Sequence, residues 1–138
     1  MDLVQGGELS DFRDEELRFS EEVTKFYAIQ IIDAVRYLHN KDIIHRDLKL
    51  ENLLVKSNGY LYLIDYGLSK RLYKDQSTGS FCGTADYMAP EILNEGSYNK
   101  SVDLWAIGIM LYELLFGMNP YNMGGEDFTP QEYKENIQ

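Results

Sequence analysis

From residue 20 onward the apolar positions of this chain take on helical spacing: Val23, Tyr27, Ile31, Ala34 and Leu38 recur every three or four residues, the stripe of a helix that buries one face. Ser20 stands ahead of the stripe as an N-cap, with Glu21 and Glu22 in the first turn where the positive helix end favours acids. The pattern therefore predicts a helix over about 21–39. Upstream lie an apolar stub, Met1-Asp2-Leu3-Val4, a Gly6-Gly7 turn, and a short charge-rich stretch from Glu8 to Phe19. After His39-Asn40-Lys41 the texture breaks into short apolar runs: Ile43-Ile44, Leu53-Leu54-Val55 and Leu61-Tyr62-Leu63-Ile64. Ser57-Asn58-Gly59 is a turn sequence, so 53–56 and 60–64 are expected to pair as a small antiparallel hairpin. The stretch 67–101 has little periodicity and many Gly, Ser, Thr, Asn and Asp, with one helical patch at Pro90-Glu91-Ile92-Leu93; it reads as a long ordered loop of the kind that carries function. From Val102 to Phe116 the sequence is apolar on every face except Asp103 and Glu113, and Gly117 ends it. Too short to span a bilayer, this segment predicts a helix buried inside the protein.

Composition narrows the class. The 138 residues leave room for one ordinary domain but not two, their 44% hydrophobic and 13% aromatic content is enough to bury a core, and no internal repeat or linker divides them. Thirteen Lys+Arg against 23 Asp+Glu give a net charge of −10, which argues against nucleic acid or an anionic membrane surface as partner and for basic ones. The single cysteine, Cys82, cannot form an intrachain disulfide and reads as packing rather than a reactive thiol. With no basic-then-apolar leader and no membrane span in sight, a reducing, cytoplasmic or otherwise intracellular setting is expected.

The chemistry concentrates in His45-Arg46-Asp47-Leu48-Lys49-Leu50-Glu51-Asn52, followed 18 residues after Asp47 by Asp65-Tyr66-Gly67 and then by Ala89-Pro90-Glu91. Taken singly, each would read as an ordinary solvated loop charge. Together they offer what phosphoryl transfer requires: a carboxylate, Asp47, to accept a hydroxyl proton; a cation, Lys49, to stabilise the moving phosphoryl group; and hard oxygen donors, Asn52 and Asp65, for a divalent metal. If residues 53–64 form a hairpin, Asn52 and Asp65 sit at its two ends and can converge on one ion.

In order and spacing these segments resemble the catalytic-loop, metal-binding and activation-segment signatures of the protein kinases. Gly83-Thr84-Ala85-Asp86-Tyr87 and Asp103-x-Trp105-x-x-Gly108 are similar to the same family, so the resemblance covers essentially the whole chain. It implies a mainly α fold with a small antiparallel β-hairpin, the large (C-terminal) lobe of a protein-kinase domain truncated at both ends: a hinge segment at 1–7 and the large lobe at 8–138, with a catalytic loop at 45–52, a metal motif at 65–67 and an activation segment at 65–91. It implies ATP and Mg2+ as cofactors, with adenine at Met1, Asp2 and Val4 over a floor at Leu54. His45 is implied to pack against the aromatic residue of the metal motif, and Asp103 to accept hydrogen bonds from the catalytic-loop backbone. Leu50 departs from the family's usual proline and Tyr66 from its phenylalanine; neither change removes a reacting group.

Within the family, Phe81-Cys82-Gly83-Thr84, Val4-x-Gly6-Gly7-Glu8-Leu9 and Arg18-Phe19-Ser20-Glu21 look most like the AGC serine/threonine kinases, the cyclic-nucleotide-dependent ones above all, with the calcium/calmodulin type as the rival branch. That resemblance implies a peptide groove holding Phe81 and Thr84, and lined by Glu8, Glu51 and Glu113. These carboxylates suit arginines two and three residues before the target Ser or Thr, hence basic protein substrates. It also implies an activating phosphate on Ser80, clamped by Arg46 and Lys70 and placed by an upstream kinase, with Thr78 and Ser77 as alternatives and an unmodified loop as the plain reading. The glycine-rich loop, strand lysine and helix glutamate of the family's first lobe find no match in the sequence, nor does an arginine to pair with Glu91. Two expectations follow: an inactive piece of a serine/threonine kinase, or a non-catalytic binding or regulatory module of kinase type.

Overall fold

The computed structural model describes residues 6–74, 76–122 and 128–137; the adenine contacts expected at Met1, Asp2 and Val4 lie outside the described residues. Leu9–Glu16 forms a first helix, α1, in the stretch that the sequence left as merely charge-rich. Its N-terminus is closed reciprocally, with Glu8 N donating to Asp11 Oδ2 at 3.3 Å, and Leu9, fully buried, is its anchor. The amphipathic segment becomes α2, Glu21–Asn40, capped by Ser20 Oγ, which accepts from Val23 N at 3.3 Å.

Beyond α2 the chain makes two small ladders. Strand β1, Ile43–Ile44, leads into the 45–52 loop, which ends in a 3-10 turn over Leu50–Asn52. Strand β2, Leu53–Val55, pairs antiparallel with β3, Leu61–Leu63, as the expected hairpin, with Leu54 opposite Tyr62 and a turn where Gly59 takes φ 81°. The second ladder is a feature that the sequence did not suggest: β4, Lys70–Arg71, lies antiparallel to β1, Ile43 facing Arg71, and ties the stretch after Asp65-Tyr66-Gly67 to the entrance of the 45–52 loop. A 3-10 turn at Ala85–Tyr87 and the one-turn helix α3, Pro90–Leu93, follow. Helix α4, Ser101–Phe116, ends at Gly117 with φ 76°, where an added Cβ would overlap Leu17 O. Helix α5, Pro130–Ile137, closes the described chain.

Helix α4 is the support of both cores. Ala106, Met110 and Leu114 join Leu9, Ile31, Val35, Leu48, Leu50 and Leu53 in one, while Val102 meets Ile44, Leu72, Met88, Ile92, Tyr98 and Tyr133 in the other. The 45–52 loop is thereby pinned through Leu48 and Leu50, with His45 and Asn52 buried beside them, Arg46, Asp47 and Lys49 half-buried and Glu51 exposed.

Candidate active site

Two buried acids on α4 organise the site from beneath. Asp103, 1% exposed, accepts from the backbone N–H of His45 at 2.9 Å through Oδ2 and of Arg46 at 2.9 Å through Oδ1. Its Oδ2 also shares a 2.7 Å hydrogen bond with His39 Nε2. An unpartnered carboxylate at this depth would cost several kcal/mol, roughly; with three donors it becomes a clamp instead. The clamp holds Arg46 at φ 69°, a left-handed conformation that a non-glycine residue adopts only when its surroundings impose it. His45 is fully buried with its ring edge-on to Tyr66 at 5.2 Å, and burial lowers its pKa, so it packs as a neutral ring. The Tyr66 phenol, the departure noted in the sequence, donates to Leu63 O at 3.2 Å.

Held in this way, the loop brings four polar side chains together. Asp47 Oδ1 accepts from Thr84 N at 3.1 Å and from Thr84 Oγ1 at 2.9 Å. Lys49 Nζ donates to the same Thr84 hydroxyl at 3.0 Å and stands 3.7 Å from Asp47 Oδ2. Asn52 Nδ2 donates to Asp47 O at 2.8 Å and to Asp47 Oδ2 at 3.3 Å, which turns its carboxamide oxygen away from Asp47. Thr84 thus joins the 45–52 loop to the long loop that follows Gly67, a structural part beyond the groove role that the sequence suggested. Gly83 makes the crossing possible: φ is 111° and a Cβ there would stand 2.6 Å from Arg46 O.

Asp65 enters from the far end of the hairpin. Ile64 N donates to Asn52 O at 2.9 Å, continuing the β2–β3 ladder, so Asp65 sits next to the residue paired with Asn52. It takes φ 59° and its Oδ1 accepts from Gly67 N at 3.1 Å. A carboxylate and a free-facing carboxamide oxygen at the mouth of one hairpin suit magnesium, which takes few protein oxygens and keeps water and phosphate for the rest. Leu54, half-buried on β2, also bridges antiparallel to Glu8.

Around this centre the remaining residues fall into two groups. Glu113, 6% exposed, accepts from the Tyr87 hydroxyl at 2.6 Å, and burial above all pushes its pKa up to about 7. Tyr87, the partner that sequence reasoning missed, lay in plain view in the Gly83–Tyr87 motif. Glu8 Oε2 accepts from Ser10 Oγ at 3.1 Å, and Glu51 is exposed on the 3-10 turn. Phe81 is 51% exposed.

The other group lies along the stretch 68–101 and the Arg46 side chain that faces it. Ser80 is exposed, with Oγ 3.3 Å from Thr78 Oγ1 and its carbonyl accepting from Tyr98 OH at 2.6 Å. Lys70 Nζ donates to Thr78 Oγ1 at 2.8 Å, while Arg46 donates to Leu68 O at 2.7 Å and to Tyr98 OH at 3.4 Å. Both cations therefore border Ser80 through intermediaries and not by direct contact. Thr78 is itself 5% exposed and lies in an antiparallel bridge with Tyr98. Glu91 accepts from Ser101 Oγ at 3.3 Å, a partner of a different kind from the arginine considered above.

Comparison with known proteins decides the lineage. The family model for the protein kinase domain matches residues 1–138. The chain belongs to the protein kinase family. This kinase chain is 48% identical over 122 residues to serine/threonine-protein kinase sgk-1 of Caenorhabditis elegans, covering 88% of the chain and 26% of that relative. It is 46% identical over 121 residues to cAMP-dependent protein kinase type 3 of Saccharomyces cerevisiae, covering 88% of the chain and 30% of the relative. With a putative protein kinase C delta type homolog of Drosophila melanogaster it shares 45% over 128 residues, 92% of the chain and 19% of the relative. These are AGC-type kinases, and the kinase chain spans less than a third of the length of each. The mainly helical architecture with its small antiparallel hairpin is that of part of a kinase domain.

Proposed function

We propose that this chain is the large-lobe part of a serine/threonine kinase that transfers the terminal phosphoryl group of ATP to Ser or Thr hydroxyls in basic protein segments. The observation that carries the reading is the convergence of Asp47, Lys49, Asn52 and Thr84, because a purely binding module has no use for a carboxylate oriented by three donors beside a lysine.

In this reading residues 45–52 are the catalytic loop, 65–67 the metal motif and 65–91 the activation segment, with 1–7 as hinge. Asp47 Oδ1 is loaded by both Thr84 donors, whereas Oδ2 takes one longer bond, from Asn52 Nδ2 at 3.3 Å, and is the oxygen assigned to accept the proton of the incoming hydroxyl. Lys49, anchored on Thr84, presents its ammonium to the transferring phosphoryl group. Asn52 and Asp65 would hold magnesium, which when bound neutralises phosphate charge. Leu54 is the apolar floor for adenine in this reading, and Met1, Asp2 and Val4, its other expected contacts, lie outside the described residues.

Glu8, Glu51 and Glu113 bind arginines that precede the target residue, while Phe81 and Thr84 contact the segment around it. The negative balance of the chain agrees with basic substrates. Ser80 is the activating phosphosite. Its exposure gives an upstream kinase access where Thr78 is buried, and Lys70 and Arg46 lie close enough to turn onto a phosphate. Among the described residues no helix is long and apolar enough to cross a membrane, and an intracellular site of action fits both the substrate and ATP. The 138-residue polypeptide by itself neither binds Mg-ATP tightly nor transfers phosphate, since its sequence holds no glycine-rich loop or strand lysine for the phosphates. The test is phosphoryl transfer from labelled ATP by the ATP-competent protein carrying this chain to paired Ser peptides with and without arginines before the target. Preference for the arginine peptide supports the reading; equal or no transfer to both contradicts it.

A further inference from the structure

Tyr98 belongs to none of the motifs singled out in the sequence, yet its hydroxyl lies where separate parts of the chain meet. The residue is 3% exposed, in the core that holds Ile44, Leu72, Ile92 and Val102. Its backbone bridges antiparallel to Thr78: Thr78 N donates to Tyr98 O and Tyr98 N to Thr78 O, each at 2.9 Å. The hydroxyl reaches further along the same stretch and donates to Ser80 O at 2.6 Å. Chemistry fixes the direction of that bond, because a phenol has one proton and Arg46 Nη1, 3.4 Å from the same oxygen, only donates. Cys82 Sγ lies 3.7 Å from that oxygen as well. Tyr98 is therefore a clasp with two points of hold, the backbone on Thr78 and the hydroxyl on Ser80.

Downstream of Ser80 the chain crosses the 45–52 loop. Gly83 passes so near that an added Cβ would stand 2.6 Å from Arg46 O, and Thr84 then donates to Asp47 Oδ1 through its N–H at 3.1 Å and its hydroxyl at 2.9 Å. Only Phe81, Cys82 and Gly83 separate the Ser80 tether from Thr84. Phe81, 51% exposed, gives that span little hold of its own. A short span between two fixed points has little room to wander, so the hydroxyl bond on Ser80 limits where Thr84 sits.

We propose that Tyr98 is a positioning residue of the candidate active site: the hydrogen-bond chain from Arg46 through the Tyr98 hydroxyl to Ser80 O holds the 80–84 stretch where Thr84 loads Asp47. This rests on the reading of Asp47 as proton acceptor. Tyr98 touches no reacting group and acts through Thr84 alone.

Tyr98→Phe removes one oxygen and leaves the ring and the backbone bridge to Thr78 in place. In the 138-residue chain, hydrogen exchange of the Thr84 amide, which donates to Asp47, is expected to quicken about ten-fold in Y98F, while the Thr78 amide on the bridge exchanges as in wild type. Unchanged exchange at Thr84 overturns the proposal whether or not the protein is a kinase. An equal rise at Thr78 also overturns it, because the hydroxyl would then support the fold at large. In the ATP-competent protein, Y98F is expected to lower turnover about five- to ten-fold in the wild-type background and less than about two-fold in the Thr84→Val background, since the tether works through Thr84. Equal losses in the two backgrounds, or none in either, overturn it. An absence of any peptide phosphorylation by wild type counts against the kinase reading, while the exchange rates still decide whether Tyr98 holds Thr84.

Discussion

Thr84 donates to Asp47 twice, through its backbone N–H at 3.1 Å and its hydroxyl at 2.9 Å, both to the same carboxylate oxygen. Thr84 thereby loads one oxygen of Asp47, while the other accepts from Asn52 Nδ2 at 3.3 Å. Thr84→Val keeps the shape and the backbone bond but removes the hydroxyl that also receives Lys49. Turnover in the ATP-competent protein is expected to fall by about ten- to a hundred-fold, with Thr84→Ser retaining most activity. Steady-state kinetics of the two variants checks this, and equal turnover in both would remove Thr84 from the site.

Asp103→Asn places an amide where two backbone donors and a histidine converge. At least one donor is then left facing an NH2 group inside the core. We expect a loss of about 2–4 kcal/mol in urea unfolding, larger than for a typical surface change. Unaltered stability would mean that the Asp103 clamp does not hold the loop.

The pH dependence of stability follows from Glu113. Its pKa rises from 4.5 to about 7 on folding, so between those values the folded state binds more protons than the unfolded one. The raised value favours folding fully below about pH 4.5, and that contribution is lost as pH rises through about 7. For this buried carboxylate the loss amounts to about 3 kcal/mol at most. Glu113→Gln keeps an acceptor for Tyr87 and should flatten the profile across this window; a wild-type profile that is already flat there contradicts the assignment.

Gly83→Ala forces a Cβ within 2.6 Å of Arg46 O at a φ of 111°. A melting temperature lowered by several degrees is expected, corresponding to about 2 kcal/mol. A melt matching wild type would show that the crossing of the two loops has slack.

Much of this was legible in the sequence because it is local. Ser20, the Val23–Leu38 stripe and the Asn58-Gly59 turn each encode their element by spacing or by a single conformational demand, and α2 and the β2–β3 hairpin appeared within a residue or two of expectation. Helix α1 did not, because only Leu9 and Ser10 are buried along it and a charge-rich surface gives no stripe to read. The β1–β4 ladder was hidden for another reason: Lys70 and Arg71 are poor strand formers, and only the tertiary course of the chain sets them against Ile43 and Ile44. Of the candidate site, Asp47, Lys49 and Asn52 stand out by their pattern and lie together in the fold, whereas the pairings Thr84 with Asp47, Tyr87 with Glu113 and Arg13 with Gly117 join residues from 26 to 104 positions apart and required the fold.

The central claim, that Asp47 is the proton acceptor of a phosphoryl transfer, is tested most directly by single-turnover transfer from labelled ATP to an arginine-bearing Ser peptide, comparing the ATP-competent protein with its Asp47→Asn variant. The carboxamide introduced by this substitution would keep the size of the side chain and the possibility of a bond from Thr84, but not the basic oxygen. The account predicts a rate at least about a hundred-fold lower with peptide binding intact. Undiminished transfer in the variant would contradict it.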